Sequence, residues 1–122
     1  MPQAVVLLHC LPDAGSHFDW MIEQPDTDDD RRLMTWRCVS SPAEPDWDGS
    51  CELINMHRSR YLAYEGPISG GRGEVRRVAQ GEVLQQRLEI DQIELSIRWG
   101  NRVVRYSGCS MNQTNRWVFR LC

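Results

Sequence analysis

The chain has 122 residues, with 14 basic and 17 acidic side chains and a formal net charge of −3 at pH 7. This length suits one domain, residues 1–122, with a single core that needs no disulfides. All 14 basic residues are arginine, which excludes lysine nucleophiles such as those of ligase adenylylation and Schiff-base enzymes. The negative net charge argues against an indiscriminate nucleic-acid coat protein, although a local arginine patch can still bind phosphate.

Cysteine usage and the N-terminal residues bear on the cellular compartment. The five cysteines form no Cys-x-x-Cys pair, and an odd number suits neither a complete disulfide framework nor a cysteine–zinc knuckle. The apolar run at residues 5–8 is too short for a signal-peptide core, and no stretch approaches the roughly 20 apolar residues of a membrane span. These features predict a reduced, cytoplasmic protein that does not associate with membranes.

Short runs rich in β-forming residues follow one another along the chain and are separated by Gly, Pro, Asn and Asp. They comprise residues 4–10, 17–23, 33–38, 74–78, 82–90, 93–99, 102–106 and 116–121. Gly100-Asn101 and Gln80-Gly81 are each predicted as the turn of a hairpin. Residues 46–56 lack alternation and are predicted as the place for a short helix, and residues 65–73, with four glycines, as a loop. The pattern predicts a mostly β fold, a small closed or partly open antiparallel β-barrel with at most one or two short helices.

Residues 17–23 carry the clearest chemical signal. Period-two alternation puts His17 and Asp19 on one face of a strand and three large apolar residues on the other. An imidazole and a carboxylate two residues apart on a strand can reach the same metal ion. His9 lies near the end of the preceding run and supplies a third ligand if the two runs pair. The alternative is a histidine–aspartate hydrogen bond with a purely structural role.

The third and last histidine, His57, opens the sequence His57-Arg58-Ser59-Arg60-Tyr61 just before the glycine-rich loop. Histidine, arginine and tyrosine together form a plausible phosphate-facing cluster, for which an exposed basic turn is the alternative. Guanidinium groups bind phosphate through two parallel hydrogen bonds. The candidate phosphate-binding arginines are Arg58, Arg60, Arg37 and Arg72.

An ordered set of motifs resembles the 3′-phosphoesterase module of bacterial DNA ligase D over nearly the whole chain. The set comprises His9, His17-Phe18-Asp19-Trp20-Met21-Ile22-Glu23, Thr35-Trp36, His57 with Tyr61, Tyr64-Glu65-Gly66, residues 70–75 and the last run, 116–121. The resemblance implies a compact β-barrel with a concave active site. It also implies removal of a 3′-terminal phosphate or ribonucleotide from DNA ends, during repair by non-homologous end joining.

By motif position, the resemblance makes His9, His17 and Asp19 the ligands of a divalent metal, with manganese expected and zinc as the alternative. It makes His57 and Tyr61 the catalytic phosphate contacts. The expected partners are DNA or RNA/DNA 3′ ends, with ligase and polymerase activities on separate proteins. The chain itself is expected to be a monomer.

Three positions depart from the family pattern. Met21, Ser40 and Gly49 stand where the family has basic residues, and the four candidate arginines are the predicted replacements. Because an arginine belongs at position 21 in the family, the sequence predicts that Met21→Arg raises phosphoesterase turnover.

Two other functions fit the same residues. One is a catalytically inactive module that binds nucleic-acid ends and keeps the barrel. The other is a non-haem iron oxygenase, in which His17, Asp19 and His57 form a two-histidine, one-carboxylate facial triad; this reading leaves His9 unexplained.

Overall fold

The computed structural model describes residues 1–13, 15–112 and 114–122. Within these ranges the regular secondary structure is nearly all β-strand, and Ser59–Leu62 form one short 3-10 helix. The strands are β1 (Gln3–Cys10), β2 (Ser16–Glu23), β3 (Leu33–Cys38), β4 (Ser50–His57), β5 (Gly66–Pro67), β6 (Glu74–Leu88), β7 (Gln92–Trp99), β8 (Arg102–Ser110) and β9 (Arg116–Leu121). None of the helical structure described is long and apolar enough to span a membrane.

The strands form a closed antiparallel barrel. Their order is β1-β2-β3-β4-β9-β8-β7-β6, and β6 pairs with β1 to close the ring. The short strand β5 pairs with the beginning of β6 outside the ring. Closure removes the exposed edges that an open sheet would leave. The predicted antiparallel β-barrel is therefore confirmed, as is the turn at Gly100-Asn101, which joins β7 to β8.

The predicted hairpin at Gln80-Gly81 is wrong, because β6 runs through both residues as a single strand. Gly81 faces Trp99 in the β6–β7 register, and a Cβ at this position would overlap the Arg98 carbonyl oxygen and lie 2.9 Å from the Trp99 ring. The glycine therefore permits a close approach of two strands. Register irregularities on either side of it, against β1 and against β7, let the long strand follow the barrel.

The predicted short helix at 46–56 is also wrong, because β4 begins at Ser50. Asp48 lies just before this strand, and its carboxylate accepts a hydrogen bond from the Ser50 amide at 3.0 Å. Cys51 and Leu53 then pair with residues of β3. The predicted loop at 65–73 is largely a loop, with the two-residue strand β5 inside it.

Two apolar clusters lie on opposite faces of the strands. Aromatic residues, including Trp20, Trp36, Tyr106 and Phe119, fill the barrel interior. A second cluster, here called the outer cluster, lies on the outside of β1, β2, β3 and the beginning of β6 and consists of Val5, Leu7, Met21, Leu33 and Val75. Residues 58–73, here called the flap, cover it with the side chains of Tyr61, Leu62, Tyr64 and Ile68. The flap therefore gives one stretch of the barrel's outer surface an apolar cover.

The cysteines are predicted to differ sharply in reactivity. Cys38 and Cys51 face each other across β3 and β4 inside the barrel, and the hydrogen-bond interaction of the Cys38 thiol with Cys51, together with burial, raises the pKa of that thiol. Because the thiolate is the reactive form, we expect iodoacetamide at pH 8 to label the exposed Cys109 and Cys122 long before Cys38. Peptide mass mapping over time measures this order. Rapid labelling of Cys38 in the folded protein would contradict the buried placement.

Candidate metal centre

The pairing of β1 with β2 brings three polar side chains together on the outer face of the barrel. His9 lies directly opposite His17, and Asp19 follows two residues later on the same face of β2, opposite Leu7. The ligand atoms of His9, His17 and Asp19 all lie within 4.8 Å of one another. The three residues, here called the triad, adjoin the outer cluster and lie on the surface opposite the aromatic interior.

Each carboxylate oxygen of Asp19 faces one imidazole. His9 Nδ1 lies 3.5 Å from Oδ2, and His17 Nε2 lies 3.1 Å from Oδ1. Among the described residues, His17 Nε2 and Asp19 Oδ1 are buried without a hydrogen-bond partner. The two atoms are 3.1 Å apart, but the angle at the donor does not suit a hydrogen bond. A buried polar atom left unpaired costs about 1–3 kcal/mol, so a group that paired with both atoms would stabilise the site.

The contact of His9 Nε2 indicates which nitrogen of the ring carries the hydrogen. His9 Nε2 lies 2.8 Å from the Arg72 carbonyl oxygen, and because a carbonyl can only accept, Nε2 carries the hydrogen and donates. When the ring is in its neutral form, Nδ1 then presents its lone pair toward the Asp19 carboxylate. Metal-binding histidines commonly anchor their second nitrogen in this way. A cation between the Nδ1 lone pair of His9 and the Asp19 carboxylate would stabilise both groups.

The donor set and its spacing fit one divalent ion. Two imidazole nitrogens and a carboxylate suit zinc, manganese or iron. Ligand atoms about 2.1 Å from an ion and separated by about 90–110° lie roughly 3.0–3.4 Å apart. The 3.1 and 3.5 Å separations, each to a different Asp19 oxygen, are close to this range, and the three ligand atoms lie within 4.8 Å of one another. Three protein ligands also leave coordination positions open for water or substrate.

His57 and Tyr61 lie together but apart from the triad. Their ring centroids are 5.9 Å apart, and His57 Nδ1 donates to the Asn55 carbonyl at 2.8 Å. His57 pairs with Leu33, which pairs with Glu23, four residues beyond Asp19. Four residues span about 13 Å along a strand. His57 therefore cannot complete a facial triad with His17 and Asp19, and the oxygenase alternative loses its third ligand.

The four candidate arginines have different environments. Arg37 is exposed, is the cross-strand neighbour of Asp19, and lines an open groove together with Glu52, His57 and Asn115. The guanidinium of Arg72 is hydrogen-bonded to the Ser69 carbonyl at 2.8 Å, so Arg72 reaches the triad through its backbone. Arg37 is thus the candidate arginine whose side chain is best placed beside the triad.

Arg58 and Arg60 are engaged elsewhere. Arg58 pairs with Asp30 at 3.6 Å on the exposed surface. Arg60 lies over the rings of Tyr61 and Tyr64, at 5.2 and 4.6 Å from their centroids. These contacts stabilise the flap and leave Arg58 and Arg60 less free to bind phosphate than Arg37.

Two of the departures from the family pattern have structural reasons. Met21 is 1% exposed and belongs to the outer cluster. Gly49 has φ +84°, and a Cβ there would overlap the Phe119 carbonyl oxygen. Neither position can accept an arginine side chain without rearrangement of its surroundings. The flap and the β9 backbone thus exclude phosphate-binding arginines at these two positions.

Sequence reasoning missed the backbone part of the site. The Arg72 carbonyl contacts His9 whatever side chain position 72 carries, so side-chain patterns hold no direct signal for it. Arg77 was missed too: its amide donates to the Glu65 carboxylate at 2.9 Å and its guanidinium to the Leu62 carbonyl at 3.3 Å. Arg77 ties the flap to β6. The adjacent glycines at positions 70, 71 and 73 are the signal that could have indicated an unusual backbone here.

A scan against protein-family models finds no match for this chain, and a search of curated proteins finds no similar sequence. The fold and the triad define an antiparallel β-barrel protein with a candidate metal centre on its outer face.

Proposed function

We propose that this protein is a metal-dependent 3′-phosphoesterase-like protein that acts on 3′-phosphate or 3′-ribonucleotide DNA ends. The observation that carries the proposal is the pair of buried, unpartnered atoms, His17 Nε2 and Asp19 Oδ1, beside the bare Nδ1 of His9. In this proposal His9, His17 and Asp19 hold a divalent ion, manganese or zinc. Such an ion, when bound, polarises phosphoryl oxygens and lowers the pKa of a coordinated water.

The side chains around the triad supply binding and orientation. Arg37, the neighbour of Asp19 on β3, binds a phosphoryl oxygen beside the triad through charged hydrogen bonds. His57 lines the same groove as Arg37 and contacts the DNA strand farther from its terminal phosphate, since the register separates it from Asp19. This placement gives His57 a role in binding DNA instead of the catalytic phosphate contact that the resemblance implies. Tyr61 supports His57 by ring contact.

The cellular setting belongs to the same proposal. The five cysteines form no disulfide, which fits a reducing compartment such as the cytoplasm. The chain has no lysine to serve as a ligase nucleophile, so these residues do not themselves seal the processed end.

A binding module that has lost catalysis is the second candidate. The burial of Met21 and the close contact of Gly49 with β9 favour it, because they remove two cationic clamps from the phosphate site. Transition-state charge on phosphoryl oxygens is normally met by preorganised cations. In this second function the metal holds the terminal phosphate without hydrolysing it.

An assay on a 3′-phosphorylated oligonucleotide separates the two. We expect chelator-treated protein to release phosphate after manganese is added, and Arg37→Ala to lower the rate about 10²-fold while metal affinity is unchanged. His57→Ala should lower substrate affinity without altering metal affinity. Arg98→Ala is the matched control, because Arg98 pairs with Glu82 on a distant strand of the barrel. Binding of manganese and DNA ends without phosphate release would favour the inactive module.

A further inference from the structure

The end of the flap approaches β1 unusually closely at Gly73. Gly73 has φ +84°, and a Cβ there would overlap the Cys10 carbonyl oxygen and lie 2.9 Å from the carbonyl carbon and 3.1 Å from Leu11 Cα. Glycine adopts this conformation without strain and has no Cβ to clash. Gly71 has a similar φ of +68°, yet a Cβ there would meet no described heavy atom within 4 Å. Close packing therefore distinguishes Gly73 from its neighbour.

The close approach places one backbone group against the triad. Arg72 precedes Gly73 and His9 precedes Cys10, so the contact at Gly73 brings the Arg72 carbonyl to 2.8 Å from His9 Nε2. The flap side of this contact is braced as well. The Ile68 amide donates to the Gly73 carbonyl at 2.8 Å, and Arg72 Nε donates to the Ser69 carbonyl at 2.8 Å. The orientation of the Arg72 carbonyl is therefore built into the local fold.

We infer that Gly73 and the Arg72 carbonyl are positioning groups for the metal centre, which fix the tautomer of His9, and that metal binding in turn holds the flap against β1. The inference rests on the proposed metal centre. The carbonyl keeps the hydrogen on Nε2, so Nδ1 keeps its lone pair for the metal. In the opposite tautomer Nδ1 would carry the hydrogen, donate it toward Asp19 and lose its capacity as a ligand.

The second half of the inference follows from linkage. If the closed flap raises the affinity of His9 for the ion, the ion must stabilise the closed flap by the same free energy. The ion and the flap contact opposite edges of one imidazole, so the ring itself connects them. The flap also covers Leu7 and Met21 of the outer cluster. Metal binding is thus expected to slow amide exchange in the flap more than in strands remote from it.

The tautomer is measured first, in metal-free parent protein, by long-range ¹H–¹⁵N correlation spectra of the histidine rings. We expect His9 to carry its hydrogen on Nε2, with Nδ1 bare. A hydrogen on Nδ1 would overturn the inference. This readout needs neither metal nor activity, so it is independent of the proposed phosphoesterase reaction.

A comparison of Gly73→Ala with Gly71→Ala supplies the second test. Calorimetric titration with manganese and zinc is expected to show about 10–100-fold weaker binding in Gly73→Ala, together with a mixture of His9 tautomers. Gly71→Ala, which suffers the same positive φ without the clash, should bind metal as the parent does. Unchanged affinity and tautomer in folded Gly73→Ala would overturn the positioning role.

If Gly73→Ala fails to fold, hydrogen exchange of the parent decides. Protection of amides in residues 66–73 on addition of metal supports the coupling, and equal exchange with and without metal refutes it. A parent protein that binds no divalent ion, yet holds His9 in the Nε2-hydrogen form, would refute the metal centre and the proposed function together. A parent that binds metal but shows the other tautomer would refute the positioning role alone.

Discussion

Replacing Asp19 by asparagine is expected to abolish divalent-metal binding while the metal-free barrel stays at least as stable as the parent. Asp19 is 3% exposed and both of its oxygens face imidazole nitrogens. Asparagine keeps the shape but loses the anionic donor, and it also removes a buried charge whose desolvation is costly. The two effects therefore have opposite signs, which a merely structural aspartate would not produce.

Thermal unfolding with and without manganese or zinc measures both effects. A ligand that binds only the folded state stabilises it by about 2.7 kcal/mol at a hundred times its dissociation constant, so the Tm of the parent should rise with metal and that of Asp19→Asn should not. Asp28→Asn is the control, because Asp28 is an exposed aspartate of the β2–β3 loop. A structural role alone is indicated if Asp19→Asn unfolds far below the parent and the parent itself shows no metal-dependent rise in Tm.

Met21→Arg is expected to destabilise the protein strongly and not to raise its turnover. Met21 is 1% exposed and packs with Leu7, Leu33 and Val75 beneath the flap. An unpaired charge in such a site costs on the order of 3–5 kcal/mol, a large share of the roughly 5–15 kcal/mol that stabilises an ordinary domain. The structure thus reverses the gain of activity that the family pattern predicts for this substitution.

Urea unfolding of Met21→Arg and Met21→Leu makes the comparison. The leucine variant conserves volume and polarity and should lose less than about 1.5 kcal/mol. If the arginine variant instead unfolds at the same urea concentration as the parent and hydrolyses 3′-phosphate ends faster, the side chain must reach the triad from beneath the flap. The buried placement of position 21 would then be incorrect.

Strand positions and strand faces could be predicted because they depend on neighbouring residues in the sequence. The alternation in residues 17–23 put His17 and Asp19 on one face and Trp20 on the other, and the structure has them so. Side chains two residues apart on a strand point the same way whatever the strand pairs with. The general barrel architecture followed from the succession of such runs.

One of the two wrong predictions about the strands, the hairpin at Gln80-Gly81, came from a glycine. Gly81 has the sequence context of a turn, but its role is to let Trp99 and the neighbouring strand approach. The same residue type serves both purposes because it lacks a Cβ. The distinction depends on which strand lies opposite, and the local sequence does not contain that information.

Some features of the candidate site could likewise be predicted from local sequence, and others depended on tertiary structure. The sequence by itself determined that His17 and Asp19 share a face, and it marked His9 as a third ligand on the condition that two strands pair. Only the tertiary structure decided that β1 and β2 pair with His9 opposite His17, that His57 lies farther along the sheet, and that the flap buries Met21. It also supplied the Arg72 carbonyl, a backbone group that every residue carries. Strand faces follow from the geometry of consecutive residues, whereas strand register and flap contacts follow from packing between segments distant in sequence.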